Sequence, residues 1–213
     1  STVSVNLAAS LAKQGLKVGL MDADIYGPSV AMMMGIGHGD RPEVLEEKVL
    51  PIEKHGVQCI SIAFLLSEAN TPVIWRGPMV GKIIKQLLQD DVNWGKLDVM
   101  VIDLPPGTGD AQLTLVQSVP ITGSVVVTTP QKLAAMDATR GIEMFTQLQV
   151  PVMGIVENMS KFIAPDGQAF DLFPRDGIEE VEKRYNVPTL GSVPIQPSVA
   201  NQGDAGTPEV VAN

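Results

Sequence analysis

Val101-Ile-Asp103-Leu-Pro-Pro-Gly-Thr-Gly-Asp110 is the stretch on which the fold turns. A short apolar run ends in a carboxylate, and a stiff, glycine-rich turn follows. Such a run, bounded by turn residues, reads as a strand. An Asp at its end can stand beside Mg²⁺, directly or through water, because that ion takes hard oxygen ligands and keeps several waters. The prolines stiffen the turn, and the glycines let backbone N–H groups approach a phosphate. Taken alone, the same residues also suit an ordinary strand end and its turn.

Working outward, short apolar runs recur at 17–21, 57–62, 99–102, 124–128, 151–156 and 189–193. Between them lie longer stretches of helical patterning, notably 80–88, 134–148 and 178–185. Residues 1–11 read as the inside of a helix, with Val3, Val5, Leu7, Ala8 and Leu11 as its buried stripe, ending near Gly15. Strands of near-continuous Val, Ile and Leu alternating with helices imply an α/β fold, its mostly parallel sheet covered by helices on both faces. The 213 residues suit one domain, 1–213, with no internal repeat and no low-complexity linker. Residues 35–56, rich in Gly, Pro and charge, read as a long loop or small excursion.

Charge narrows the function classes. Fifteen Lys and Arg against 24 Asp and Glu give a net charge of −9. That balance disfavours general binding to nucleic acid or anionic membranes. The single cysteine, Cys59, rules out an intrachain disulfide and is compatible with a reducing cytosol. No apolar run approaches the roughly 18 residues of a membrane span, and no signal peptide is visible, so the expected location is cytoplasmic.

Ligands of open parallel sheets bind at the carboxyl ends of the strands. Two further strand ends carry chemistry. Asp22-Ala-Asp24-Ile-Tyr-Gly-Pro-Ser29 offers two carboxylates at i, i+2, which share a side if the strand continues. An Asp beside a bound nucleotide can orient the attacking water; the bland alternative is a solvated turn. Glu157-Asn158-Met-Ser160 places an amide after a strand, where it can read a purine edge or simply shape a turn.

The order of these pieces is more specific than any one of them. Asp22-Ala-Asp-Ile-Tyr-Gly-Pro-Ser29 resembles the switch I region of the Mrp/ApbC family of iron–sulfur cluster carrier P-loop ATPases, within the MinD/ParA-like superfamily. Trp75-Arg-Gly-Pro-Met79, Asp103-Leu-Pro-Pro-Gly-Thr-Gly-Asp110 (the pattern of a Walker B strand and switch loop), Glu157-Asn-Met-Ser160 and Gly191-Ser-Val-Pro-Ile-Gln-Pro197 fall in that family's order. The closing Gly206-Thr-Pro-Glu-Val-Val-Ala212 resembles the family's end. The resemblance implies a P-loop NTPase-like fold that binds ATP and Mg²⁺, works as a homodimer and serves iron–sulfur apo-proteins. It implies Asp24 as the water-positioning residue, Asp103 and Ser1 as supports of Mg²⁺, and Ser1, Thr2, Gly107, Asn158 and Pro194 as nucleotide contacts.

Two departures limit the transfer. The family's phosphate loop, Gly-Lys-Gly-Gly-Val-Gly-Lys-Ser/Thr, and the strand before it should precede residue 1. The chain opens at Ser1-Thr2, where that loop ends. The expectation is a fragment, its first strand missing and its sheet left with a gap of unpaired backbone groups. Little ATP affinity and almost no hydrolysis are expected of it as it stands. The second departure is at Ala164 and Gly167, where many cluster-carrying members have Cys-x-x-Cys. Thiolates are the ligands of such clusters, so a bound iron–sulfur cluster is doubtful. Cys59 itself reads as a small buried hydrophobe.

The competing readings are a MinD/ParA-like spatial regulator and a non-hydrolysing scaffold. The first calls for a basic amphipathic terminal helix or a basic dimer face, and residues 203–213 contain no Lys or Arg. His38 and His55 read as solvated, without partners at metal spacing. Met32-Met-Met34 reads as a buried patch or an adaptable contact surface. Arg76 suits a structural salt bridge and a partner or nucleotide contact equally.

Overall fold

The computed structural model describes residues 1–24, 27, 29–37, 39–65, 77–164 and 166–213. Ile25, Tyr26, Pro28, His38, Trp75 and Arg76 lie outside the described residues, so the readings placed on them stay as sequence readings.

Helix α1 (Thr2–Lys13) buries Val5, Ala8 and Ala9, and Gly15 follows it at φ +90°. That left-handed conformation is the usual glycine stop of a helix. Strand β1 (Val18–Asp22) is buried along its whole length. Helix α2 (Val30–Met33) is one turn. The stretch read as an excursion holds a two-stranded hairpin, β2 (Val44–Leu45) and β3 (Lys48–Val49), and then β4 (Ile52–Lys54). Strand β5 (Val57–Ser61) runs into a 3₁₀ turn, Ile62–Leu65. Helix α3 (Gly77–Lys85) passes into a π-helical turn, Gln86–Asp90. Then come β6 (Val99–Asp103), α4 (Asp110–Ser118), β7 (Ser124–Thr128) and α5 (Lys132–Gln147). The chain closes with β8 (Val152–Ile163), β9 (Ala169–Phe170), α6 (Asp176–Tyr185), β10 (Thr189–Ile195), α7 (Pro197–Asp204) and α8 (Glu209–Ala212).

The chain divides into two compact units. The first comprises Ser1–Pro106, Asp110–Ser118 and Ser198–Asn213; the second comprises Gly107–Gly109 and Val119–Pro197. The first holds a sheet in the order β4-β5-β1-β6, in which β1 runs parallel to both β5 and β6, and β4 is antiparallel to β5. Helix α1 packs on β1, β5 and β6. Val5, Ala8, Val18, Leu20, Val30, Met34, Val57 and Cys59 form one core cluster there. The second unit holds β10-β8-β7, all parallel, with the short β9 antiparallel to β8. Helix α5 packs on β7 and β8, and α6 packs on α5.

This is the mostly parallel α/β arrangement that the apolar runs imply. Within their own sheets β6 and β7 are each end strands, Val-Met-Val-Ile-Asp and Ser-Val-Val-Val-Thr. Apolar runs of this kind belong to strands paired on both sides, whereas natural edge strands carry charge or proline.

Two readings are corrected. Strand β8 does not stop at residue 156 but continues to Ile163. Its second half is partly polar and breaks register, with Met159 at φ +55°; of its pairing partners, β9 follows within a few residues and β10 lies far along the chain. His55 is not a solvated loop residue: it sits half-buried at φ +51° in the tight turn between β4 and β5, and its Nε2 lies 3.1 Å from the Gly206 carbonyl. Strand β1 ends at Asp22, so the condition under which Asp22 and Asp24 would share a side is not met.

Candidate functional site

Parallel pairing of β1 and β6 sets Asp22 directly beside Asp103 at the two strand ends. The register follows from the hydrophobic runs before them, since a one-residue slip would turn every side chain to the other face. The first turn of α1 lies against this edge. Ser1 Oγ donates to Asp103 Oδ2 at 2.6 Å, and Ser4 Oγ donates to Oδ1 at 2.6 Å. Asp103 is buried apart from about 6% of its surface. Thr2, one residue on, points its hydroxyl to Met33 Sδ at 3.8 Å.

Asp22 is fully buried. Its Oδ1 accepts the Asp24 N–H at 3.1 Å, and its Oδ2 accepts the Val30 N–H at 3.3 Å and the Ser61 hydroxyl at 3.2 Å. Burial pushes its carboxyl up to about 6, and the neighbouring Asp103 charge acts in the same direction; the two backbone N–H bonds and the Ser61 hydroxyl oppose it. Asp24 is half-buried, and its Oδ1 accepts the Gly27 N–H at 3.2 Å. Sequence reasoning brought Ser1, Asp24 and Asp103 to this edge. It missed the structural work of Asp22, Ser4 and Ser61; the Ser4–Asp103 and Ser61–Asp22 bonds join residues far apart in the chain. The only local signal was the i, i+3 hydroxyl pair at the start of an amphipathic helix.

The remaining sequence candidates lie in the second unit. Gly107 is exposed at φ +92°, a conformation that glycine alone adopts cheaply. Asn158 stands within β8 and not after it, and its Oδ1 accepts the Met159 N–H at 3.0 Å. Pro194 stands within β10 and not in a loop, at a register shift between Val193, which pairs with Asn158, and Ile195. A bulge is where a strand tolerates a residue without an N–H. Next to Asn158, Glu157 is 1% exposed. Arg175 Nε lies 3.0 Å from both its oxygens, and Ser192 Oγ donates to Oε2 at 2.9 Å. The bond to Glu157 raises the Arg175 guanidinium above its ordinary range.

The donor set fits Mg²⁺ and does not fit an iron–sulfur cluster. Asp103 and the Ser1 hydroxyl are hard oxygen donors, and Mg²⁺ needs only one or two from protein when phosphates and water supply the rest. Among the described residues no three His, Cys, Asp or Glu side chains gather into a cage, as a site of that type requires none. Cys59 is buried inside β5, and burial pushes its thiol up to about 12, so it is not a thiolate ligand. The Gly167 N–H donates to the Ala164 carbonyl at 2.9 Å, and neither position carries a sulfur. Among the described residues no helix is long and apolar enough to cross a membrane.

A family model described as ParA, the NUBPL iron-transfer P-loop NTPase, matches residues 1–213. The iron-sulfur cluster carrier protein of Deinococcus radiodurans is 51% identical over 214 residues, covering 100% of this chain and 60% of that protein. The chain thus spans well under two thirds of that relative's length. The nucleotide-binding protein of Archaeoglobus fulgidus, solved in complex with ADP, aligns with a TM-score of 0.84 and 37% identity over 98% of this chain and 81% of its own. The septum site-determining protein MinD of Pyrococcus horikoshii, complexed with Mg-ADP, aligns with a TM-score of 0.68 over 98% of this chain and 81% of its own; at 19% identity that likeness is one of fold.

Proposed function

Because the chain belongs to the NUBPL iron-transfer family of ParA-type P-loop NTPases, we propose that it forms the nucleotide switch of a protein acting in iron–sulfur cluster transfer. The observation that carries this reading is the Ser1–Asp103 hydrogen bond, which joins the first turn of α1 to the end of β6 at 2.6 Å. A hydroxyl at a helix start, bonded to a strand-terminal carboxylate, is the pair that P-loop proteins use to hold Mg²⁺ against nucleotide phosphates. In this reading Ser1 and Asp103 hold the ion, which neutralises phosphate charge when bound. Thr2 stands near the phosphates, Asp24 positions the attacking water, and Gly107 follows the γ-phosphate. Asn158 contacts adenine, and Pro194 flanks the base.

In this reading residues 1–213 belong to one P-loop NTPase-type domain. ATP turnover drives a conformational step in a homodimer, in the cytoplasm, and the cluster is cargo destined for apo-proteins. No ligation step runs through this chain's own residues, because its one thiol is buried.

Calorimetry with Mg-ATP on the full-length protein and its Asp103→Asn variant tests the reading. Binding by the wild type that weakens at least about ten-fold in the variant supports it, as expected for loss of a charge-assisted contact. Equal binding by both removes Asp103 from the metal site, and no binding by either removes the nucleotide function.

A further inference from the structure

Both oxygens of Asp103 are taken by hydroxyls from a single helix. Ser1 reaches Oδ2 and Ser4 reaches Oδ1, each at 2.6 Å. Residues three apart on a helix are neighbours on one face, so the pair grips the carboxylate like a two-pronged fork. Bonds of this length to an ionised carboxylate are of the strong, charge-assisted kind. Only one of the two hydroxyls belongs to the metal site described above.

We propose that Ser4 is a positioning residue that fixes the orientation of Asp103 toward the magnesium ion, a role that rests on the nucleotide reading given above. A carboxylate held at one oxygen can still rotate about its terminal torsion, which is broad and soft. Ser1 bonds Oδ2 through its hydroxyl proton, and its amino group stands 3.5 Å from Oδ1, beyond the range of a good hydrogen bond. Ser4 supplies the second tie. Its own proton is committed to Oδ1, so it acts through Asp103 and not on the metal. The neighbouring Asp22 makes this tie more consequential. It lies beside Asp103 in register and its charge repels that of Asp103, so an Asp103 freed at Oδ1 has reason to turn away from its working position. Nothing in the motif order singles Ser4 out; it is recognised by the bond that joins it to a residue 99 positions away.

The test uses the full-length protein with ADP as the probe. Wild type, Ser4→Ala and Ser4→Thr are titrated calorimetrically, with excess Mg²⁺ and again in EDTA. In Ser4→Ala the gain in ADP affinity conferred by Mg²⁺ should fall about ten-fold, as expected for a lost charge-assisted bond, while affinity in EDTA matches wild type. Ser4→Thr keeps the hydroxyl and should restore the gain. A Ser4→Ala protein that keeps the full Mg²⁺ gain overturns the proposal and leaves the nucleotide reading intact. Equal losses with and without Mg²⁺ also overturn it, assigning Ser4 to helix packing. A wild type that gains nothing from Mg²⁺ defeats the nucleotide reading, and the proposal falls with it.

Discussion

Replacing Asp22 by Asn should stabilise the 213-residue chain at neutral pH, although it removes a hydrogen-bond acceptor from the candidate site. Asp22 is fully buried, and its carboxyl is pushed from 3.8 to about 6. The folded chain therefore holds that proton more tightly than the unfolded one. For an acid whose folded value is raised, stability falls as pH rises through the window between the two values, and the full cost is present above it. A shift of about two units is worth about 3 kcal/mol. The Asn oxygen can still accept the Asp24 N–H, and its amide can donate to Ser61 Oγ, so it stands in for the protonated acid. The opposing effect is at Val30, whose N–H loses an acceptor 3.3 Å away. A buried donor left unmade costs about 1–3 kcal/mol, nearer the lower figure for a bond already this long. The electrostatic gain wins by about 1–2 kcal/mol. Urea unfolding of both proteins from about pH 4 to 8 measures it. The variant should draw ahead of the wild type between pH 3.8 and about 6 and keep a constant lead above that. Parallel profiles across the window would refute the argument, since they would mean that Asp22 has the same affinity for its proton folded and unfolded.

Other consequences can be checked alongside it. In full-length protein, Asp24→Asn should lower ATP turnover by about 100-fold or more while Mg-ADP affinity stays within about three-fold, the pattern of a group acting only in the transition state; unchanged turnover would remove Asp24 from its role. Arg175→Ala leaves Glu157, 1% exposed, with its charge answered only by the Ser192 hydroxyl among its described partners. Thermal unfolding should report a loss of about 3 kcal/mol, and Glu157→Gln in the same background should recover part of it. Gly206→Ala puts a Cβ 2.5 Å from Gly35 Cα at φ +74°, whereas Gly15→Ala at φ +90° meets nothing within 4 Å. The first should cost more than the roughly 1–2 kcal/mol of left-handed strain that bounds the second. Anaerobic reconstitution with iron and sulfide should leave little cluster on the desalted 213-residue chain, because its one thiol is buried; stoichiometric iron and sulfide would contradict that.

What the sequence made legible was what is local. The apolar runs before Asp22 and Asp103 read as strands because a buried parallel strand has apolar side chains on both faces. The runs 57–62 and 124–128 found β5 and β7 within one residue for the same reason. Periodicity found α5 and α6, whose buried residues recur every three or four positions. Strand β8 was cut short at Glu157 because the residues after it are polar, and pairing with β9 and β10, not their own pattern, makes them a strand. Helix α4 was invisible for a related reason: its first residues, Asp110-Ala-Gln-Leu-Thr, carry no clear apolar stripe, and it earns its place by packing on α3. Tertiary contact overrides propensity in both cases.

The site shows where that boundary falls. A strand-terminal Asp is visible in sequence as a candidate, yet its chemistry depends on which oxygen donors face it. Asp22 and Asp103 have the same side chain at the same position on adjacent strands. One is closed over by two backbone N–H groups and the Ser61 hydroxyl, and one is gripped by two hydroxyls from α1. Backbone donors cannot be withdrawn without unmaking the loop that bears them, so Asp22 is suited to hold the Asp24 segment in place. Hydroxyls can turn, keeping a proton on the carboxylate while offering a lone pair elsewhere, which is what the metal role proposed for Asp103 requires. The division of labour between two identical residues is set by their donors. Those donors come from α1, from β5 and from the backbone at Asp24 and Val30, brought together by the register of three strands.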